Sequence, residues 1–106
     1  MADQREPVTR IFTYEEALEL LPEVQRLTAE AVEQIEVVSS DAPPAEYQSI
    51  VGRWADAVMG MGIEVKGLWL IDFDNGSGYY CWRYPETSLQ YFHGYEEGFQ
   101  GRVKLN

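Results

Sequence analysis

The sequence predicts an α+β domain in which an N-terminal antiparallel helical hairpin packs on a small C-terminal three-stranded antiparallel β-meander. Apolar residues recur at helical spacing through the first 62 residues. After residue 62 the chain is rich in β-branched and aromatic residues, and glycine and proline turn signals divide it into short runs. A length of 106 residues suits one core, so we expect a single domain over residues 1–106.

The first helix has a clear start signal. Residues 1–10 are polar, and we expect them to form a flexible lead-in. Thr13 is placed to cap the first helical turn, and Glu16 is placed to reach back to the Thr13 amide. Pro22 has no amide hydrogen, which predicts a kink or a short break at residues 20–21. The apolar stripe of this helix consists of Ala17, Leu21, Val24, Ala31, Ile35 and Val38.

A second amphipathic helix follows a short linker. Residues 39–44 contain two serines, an aspartate and two prolines, a composition typical of a connection. Gly62 is placed to act as the C-terminal cap of the second helix. Because the linker is short, the helices are predicted to form an antiparallel hairpin over residues 11–62. The apolar stripe of the second helix consists of Tyr47, Ile50, Val51, Trp54, Val58 and Met61.

The second half of the chain, residues 63–106, is predicted to form the β-meander and a tail. Residues 75–78 and 85–87 carry the turn signals between the strands. The tail from residue 94 is predicted to be an ordered loop that ends in a short extended piece. The three predicted strands are residues 63–73, with a bend at Gly67, residues 79–84 and residues 88–93.

The formal net charge of −10 limits the partners of this protein. Residues 1–62 carry twelve acidic and four basic side chains, whereas residues 63–106 carry six and four. Lysine and arginine supply most of the affinity for phosphate backbones and for anionic membrane surfaces. We therefore expect no nucleic-acid partner and no membrane partner.

The cellular compartment follows from what the sequence lacks. A single cysteine cannot form an intramolecular disulfide, which fits a reducing compartment. No apolar run approaches the roughly 20 residues of a membrane span, and the N-terminal segment lacks the apolar region of a signal peptide. We expect a cytoplasmic protein.

The candidate site lies in the aromatic-rich residues 69–102, which contain the only histidine and the only cysteine. Two-residue periodicity places the cysteine and Arg83 on one face of the second strand. If that face adjoins the face carrying His93, these side chains converge, and Glu86 or Glu97 would supply a carboxylate. Such a set suits acid–base catalysis or anion binding. The alternative is a hydrogen-bonded structural histidine.

The sequence Gly-Phe-Gln-Gly-Arg at residues 98–102 offers a further anion-binding element. Its backbone amides and the Arg102 guanidinium could bind a carboxylate or a phosphate. The alternative is a turn in which Phe99 anchors in the core and Arg102 pairs with a carboxylate.

Metal and cofactor signatures are absent from the sequence. Cys81 and His93 are two candidate ligands, but zinc sites need three or four at recognisable spacings. The residues from Asp72 onward resemble a calcium loop, yet Ser77 and Arg83 occupy the positions that require glycine and glutamate. We expect no metal site, no cofactor and a buried, inert thiol.

Three stretches carry a resemblance to a known family: RIFTYEEALELLPEVQRL at residues 10–27, GIEVKGLWLIDFD at residues 62–74, and YYCWRYPETSLQYFHGYEEGFQGR at residues 79–102. In these stretches the chain resembles the small bacterial proteins grouped as "domain of unknown function 2203". One departure is the Tyr-Pro-Glu turn at residues 84–86, where the family usually has a Leu-Gly-Glu-like turn. The resemblance implies a helical hairpin with a small sheet, a cytoplasmic location and no known activity. Its signature residues map to Arg83, Glu86, His93, Gly98 and Arg102.

Two classes of function stay open at this point. The first is a non-enzymatic structural or interaction module that self-associates, most simply as a homodimer, because fourteen aromatic residues in a small chain offer surface to bury. The second is a protein that binds or hydrolyses a small anionic molecule of unknown identity, and the sequence leaves open whether it is an enzyme. Its catalytic residues would be His93 and Glu97, and its ligand-binding residues Arg83, Glu86 and Arg102.

Overall fold

The structure, a computed structural model, describes residues 10–105. Two helices precede a five-stranded antiparallel sheet whose strands lie in chain order, β1-β2-β3-β4-β5. The α+β class is therefore confirmed, and the predicted number of three strands is wrong. Apart from Arg10, the predicted flexible lead-in lies outside the described residues. The elements are α1 (Tyr14–Val37), α2 (Pro44–Met59), β1 (Glu64–Gly67), β2 (Leu70–Asp74), β3 (Tyr79–Arg83), β4 (Tyr91–His93), a 3-10 turn (Phe99–Gly101) and β5 (Val103–Lys104).

Helix α1 begins as its sequence predicts. The Glu16 amide donates to Thr13 Oγ1 at 3.0 Å, and the Thr13 amide donates to Glu16 Oε1 at 2.9 Å, which completes a capping box. The helix then continues without a break through Pro22, so a break at residues 20–21 does not occur. Proline removes one backbone hydrogen bond there, and the burial of Leu21 and Val24 on either side holds the helix against the core.

Helix α2 ends earlier than the sequence suggests. Proline at the first helical turn is favourable because its missing amide hydrogen would be unpaired there in any case. Gly60, in a right-handed helical conformation, is the C-terminal cap, and its amide donates to Asp56 O at 2.9 Å. The prediction of Gly62 as the cap is therefore wrong. Gly62 has a φ of 86°, which turns the chain into β1 after the helix has ended.

A buried hydrogen-bond chain joins the two helices. Trp54 Nε1 on α2 donates to Thr28 Oγ1 on α1 at 2.8 Å, and Thr28 Oγ1 donates to Val24 O at 2.7 Å. Both polar groups are thereby satisfied inside the apolar core. The core that the helices share with the sheet contains Phe12, Ala17, Leu21, Val24, Ala31, Ile50, Trp54, Val58, Ile63, Ile71, Phe73, Trp82 and Leu89.

The first predicted strand is in fact a hairpin of two strands. Gly67 of β1 pairs with Leu70 of β2 across a tight turn, in which Trp69 has a φ of 62°. A non-glycine residue seldom adopts this conformation. The Trp69 ring packs edge-on against the Trp54 ring with centroids 4.8 Å apart, so tertiary packing stabilises a turn that local residue preferences do not predict.

The last two strands are short. The predicted third strand is confined to β4, the three residues Tyr91–His93. The tail then crosses back, and its extended end forms β5, where Val103 pairs with Phe92. The fifth strand thus comes from the extended piece predicted at the end of the tail.

Alternation along the strands gives the sheet two different faces. Ile71, Phe73 and Trp82 belong to the core that the sheet forms with the helices. Asp72 lies between Ile71 and Phe73 and pairs with Cys81, so both point to the opposite, outer face. No helix among residues 10–105 is long and apolar enough to cross a lipid bilayer.

Candidate functional site

A carboxylate, a thiol and an imidazole meet on the outer face of the sheet, one from each of three neighbouring strands. Asp72 comes from β2, Cys81 from β3 and His93 from β4, and we call these three residues the outer-face cluster. The Asp72–Cys81 register and the Tyr79–His93 register place them side by side. Their candidate ligand atoms all lie within 4.8 Å of one another. The residues are 1%, 1% and 3% exposed, so the cluster is removed from bulk water.

The His93 ring is held at both nitrogen atoms. Nδ1 lies 2.9 Å from the carbonyl oxygen of Gly94, and Nε2 lies 3.0 Å from Asp72 Oδ2. A carbonyl oxygen can only accept, so the first contact requires a hydrogen on Nδ1. When each ring nitrogen carries a hydrogen, Nδ1 donates to the carbonyl oxygen of Gly94 and Nε2 donates to the carboxylate of Asp72. The ring orientation is therefore fixed by its surroundings.

The two oxygens of Asp72 have different environments. Oδ2 accepts from Lys66 Nζ at 3.0 Å as well as from His93. Oδ1 is buried and has no hydrogen-bond partner, and within residues 10–105 it is the only buried side-chain oxygen or nitrogen in this condition. Leaving a buried polar group unpaired costs about 1–3 kcal/mol, and more for a charged one.

Lys66 reaches the cluster because of an irregularity in β1. The register shifts between Val65 and Gly67, and the additional residue, Lys66, has its side chain on the outer face. Burial opposes the charge of the ammonium group, but the hydrogen bond to Asp72 and the charges of Asp72 and Glu64 outweigh it and raise the pKa of Lys66. Its Nζ lies 3.5 Å from Glu64 and 3.8 Å from the centre of the Tyr79 ring.

The Cys81 thiol is not activated. Burial in the first place, and the neighbouring Asp72 carboxylate in the second, raise its pKa to about 12. The thiol therefore stays protonated near neutral pH, whereas a nucleophilic cysteine needs a lowered pKa. Arg102 Nη1 lies 4.0 Å from Cys81 Sγ.

A second group of side chains adjoins the cluster. Arg102 Nη1 forms an ion pair with Glu86 Oε2 at 2.8 Å, and its guanidinium stacks 3.9 Å from the centre of the Tyr91 ring and 4.0 Å from that of Phe99. Glu86 Oε1 accepts from the Arg83 amide at 2.9 Å. The ion pair confirms the carboxylate partner that the alternative interpretation of residues 98–102 predicted for Arg102. The other part of that interpretation is wrong, because Phe99 is 37% exposed and is not anchored in the core.

A cleft of about 460 Å³ opens above the outer-face cluster. The cluster forms its floor, and the walls include Lys66, Tyr95, Glu96, Glu97 and Phe99. Pockets of this volume hold small molecules in other proteins.

One comparison with known proteins gives a match. The profile of the family described as "Uncharacterized conserved protein (DUF2203)" matches residues 36–105. The chain belongs to this family. No curated protein and no solved structure matches it. The matched range in this DUF2203 protein includes α2, the whole sheet and the outer-face cluster. It begins in the last turn of α1, so it does not include residues 10–27, the first of the three stretches that carry the resemblance.

In the structure of this DUF2203 protein, the five predicted site residues do not form one site. Arg83, Glu86 and Arg102 lie together, with the Arg83 guanidinium 5.5 Å from the Phe99 ring centre. His93 pairs with Asp72 instead of with either predicted glutamate. Glu97 accepts from the Gly94 amide at 2.9 Å and lines the cleft.

Sequence reasoning missed two members of the site, Asp72 and Lys66. Asp72 was considered only as part of a failed calcium loop. The signal that could have found it is a single carboxylate inside the apolar run Ile71-Asp-Phe73, because a charged residue there must find a partner. Lys66 had no comparable signal, since its direction depends on the register shift in β1.

Proposed function

We propose that this protein binds a small polar molecule in the cleft above the outer-face cluster, and that the molecule donates a hydrogen bond to Asp72 Oδ1. The observation that carries the proposal is the Asp72 carboxylate, which lines the cleft and has one buried oxygen without a hydrogen-bond partner. A ligand N–H or O–H group would remove the cost of leaving this oxygen unpaired. A charge-assisted hydrogen bond would also orient the ligand.

The charges around the cleft favour a cationic or neutral donor over an anion. Glu96 and Glu97 line the walls and add two carboxylates. Lys66, the cation of the cleft walls, already contacts Asp72 and Glu64. Arg102 already pairs with Glu86, so an anionic ligand would have to replace that carboxylate. The predicted anionic ligand therefore becomes an alternative outcome of the test below.

The contacts of the cluster also favour binding over hydrolysis by the protein alone. Both ring nitrogens of His93 already contact oxygens of the protein, so neither is free to exchange a proton with a ligand. The Cys81 thiol, with its raised pKa, is a poor nucleophile. Hydrolytic activity would need a further component at the site.

Three probes that share one ring can test the proposal. We suggest titrating ¹⁵N-labelled protein with benzylamine, benzyl alcohol and benzoate and following the backbone amides by NMR. We expect benzylamine, and more weakly benzyl alcohol, to shift the amides of Lys66, Asp72 and Gly94. Asp72→Asn should weaken benzylamine binding by about 10–100-fold, the equivalent of one charge-assisted hydrogen bond of about 1.5–3 kcal/mol. Asp56→Asn, the same substitution on α2, serves as the matched control.

Two results would decide against this proposal. If benzoate binds and shifts residues near Arg102 while benzylamine does not bind, the ligand is anionic and Arg102 is its anchor. If none of the three probes shifts an amide around the cleft, the cleft is not a binding site for small polar molecules.

Self-association is a second candidate, favoured by one observation. The edge strand β5 carries Val103 with 60% of its surface exposed, and an open sheet edge can pair with a second copy. The other exposed large apolar side chains lie on separate elements, such as Val37 at the end of α1 and Leu68 in the β1–β2 turn. Light scattering during gel filtration should give twice the mass of one chain if the predicted homodimer forms. The cytoplasmic location likewise stays a prediction.

A further inference from the structure

We infer that Asp72, Cys81 and His93 bind one divalent metal ion of the zinc class, with a fourth coordination position open to the cleft. The three side chains supply a carboxylate oxygen, a sulfur and an imidazole nitrogen, which are the ligand types that zinc takes from proteins. Three protein ligands with one open position are typical of catalytic zinc sites, whereas structural sites have four. The inference goes beyond the proposed function, because an ion on the floor of the same cleft would itself satisfy Asp72 Oδ1 in place of a hydrogen bond from the ligand.

The spacing of the three ligands suits a tetrahedral ion. Bonds of about 2.0–2.3 Å separate ligand atoms by about 3.3–3.8 Å in a tetrahedron. The candidate atoms of the outer-face cluster lie within 4.8 Å of one another, so shifts of about 1 Å would bring them onto a common ion. Because the residues come from three hydrogen-bonded strands, their backbones are held in fixed relative positions.

Each of the three ligands has a neighbour that could support it in the metal-bound state. His93 Nδ1 contacts Gly94 O, which leaves Nε2 as the coordinating nitrogen. Asp72 Oδ2 is held by Lys66, which leaves Oδ1 to coordinate. Arg102 Nη1 lies 4.0 Å from Cys81 Sγ, close enough to compensate a thiolate. Ligating histidines and carboxylates in metalloproteins are held by such neighbours, which orient them and increase their basicity.

The unpaired Asp72 oxygen is a further indication of a cation. A carboxylate whose residue is 1% exposed keeps one oxygen without a hydrogen bond from any nitrogen or oxygen atom, although Lys66 and His93 both contact the other. A divalent ion would satisfy Oδ1 without disturbing the bond from Lys66. Binding would release the Cys81 proton and the hydrogen on His93 Nε2, because thiolate and neutral imidazole are the coordinating forms.

This inference differs from the expectation of no metal site. That expectation rested on two ligands, Cys81 and His93, without a third at a recognisable spacing. The third ligand, Asp72, is nine residues before Cys81 in the chain and reaches it through the pairing of β2 with β3. An open coordination position would also supply the component that hydrolysis needs, because a zinc-bound water ionises near neutral pH.

Cobalt substitution can test the inference directly. We suggest treating the purified protein with a chelator, titrating it with Co²⁺ and recording absorption spectra. One equivalent of Co²⁺ should saturate the protein, with a thiolate-to-cobalt charge-transfer band and the visible bands of tetrahedral cobalt, and Zn²⁺ should displace it. Cys81→Ser should abolish the charge-transfer band. Cys81→Ser and Asp72→Asn should each lower the zinc affinity at least about tenfold.

Glu96→Gln is the matched control, because Glu96 lines the same cleft and is neither a proposed metal ligand nor a predicted site residue. It should keep the cobalt spectrum of the wild type. The inference is overturned if wild-type protein gives no charge-transfer band at one equivalent, or if Cys81→Ser binds Zn²⁺ as tightly as the wild type.

Benzylamine titrations of the metal-free and the zinc-loaded protein separate the two proposals. If benzylamine shifts the cleft amides but Zn²⁺ does not bind, the zinc inference alone fails. If Zn²⁺ binds through Cys81 but no probe enters the cleft in either form, the proposal of a small polar ligand fails and the zinc inference stands.

Discussion

Replacing His93 by leucine removes one partner of a buried hydrogen-bonded pair and leaves the other, the Asp72 carboxylate, in place. His93 Nε2 lies 3.0 Å from Asp72 Oδ2, with side chains that are 4% and 2% exposed. Removing one partner of such a pair costs about 3–5 kcal/mol of unfolding free energy. Lys66 still contacts the same oxygen at 3.0 Å and is 35% exposed, so we expect a loss near the lower end, about 3 kcal/mol.

The double substitution Asp72→Val/His93→Leu removes the buried charge and the unpaired oxygen together. Lys66 then keeps Glu64, 3.5 Å away, as a partly exposed partner. Replacing a buried ion pair by apolar residues of similar size is often neutral or stabilising by about 1–4 kcal/mol. We therefore expect the double variant to be at least as stable as the wild type, although each polar group has been lost.

Urea unfolding followed by far-ultraviolet circular dichroism measures the unfolding free energy of the single and the double variant. The comparison holds when m, the slope of that free energy against urea concentration, is the same in all variants. Arg26→Leu is the control for loss of an exposed ion pair, since the side chains of Arg26 and Glu23 are 53% and 47% exposed. It should change the unfolding free energy by less than about 1 kcal/mol. If the double variant is as unstable as His93→Leu, the outer-face cluster stabilises the fold, and the argument that it serves binding is refuted.

Three further predictions concern packing and stability. Thr28→Val should cost about 1–3 kcal/mol, because the buried Trp54 indole N–H loses its acceptor while the side-chain volume is kept, and the same urea assay measures it. Gly78→Ala should be destabilising by about 1–3 kcal/mol, since the added Cβ would lie 2.5 Å from Phe92 Cζ and 2.7 Å from a backbone oxygen. Gly52→Ala has no atom within 4 Å of the added Cβ and lies inside α2, so it should stabilise by about 0.5–1 kcal/mol. The packing argument is contradicted if the urea midpoint of Gly78→Ala is equal to or higher than that of Gly52→Ala. It is also contradicted if Thr28→Val leaves the unfolding free energy unchanged.

The parts of the fold that depend on local chemistry could be predicted from the sequence. The capping box of Thr13 and Glu16 involves residues three apart, and the helical stripes depend on a period that any window of the chain reveals. The hairpin at Trp69 could not be predicted in this way. Its positive φ is stabilised by packing on Trp54, fifteen residues earlier, and no local signal encodes that contact.

The candidate site could be predicted only in part, for the same reason. Period two placed Cys81 and His93 on adjoining faces once their strands paired, and the register of β3 with β4 agrees. The partner of His93 depended on the register of β2, which was hidden because residues 63–73 were treated as one strand. With β1 and β2 separated, Asp72 lies opposite Cys81 and within reach of His93.

The tail closes the outer face through contacts that do not need the cluster. Its extended end pairs with β4, Arg102 pairs with Glu86, and Glu97 accepts from the amide of Gly94. These contacts would remain if the buried side chains beneath were apolar, and apolar side chains would avoid the unpaired oxygen of Asp72. A carboxylate, a thiol and an imidazole in that position are therefore better explained by what they bind than by what they hold together.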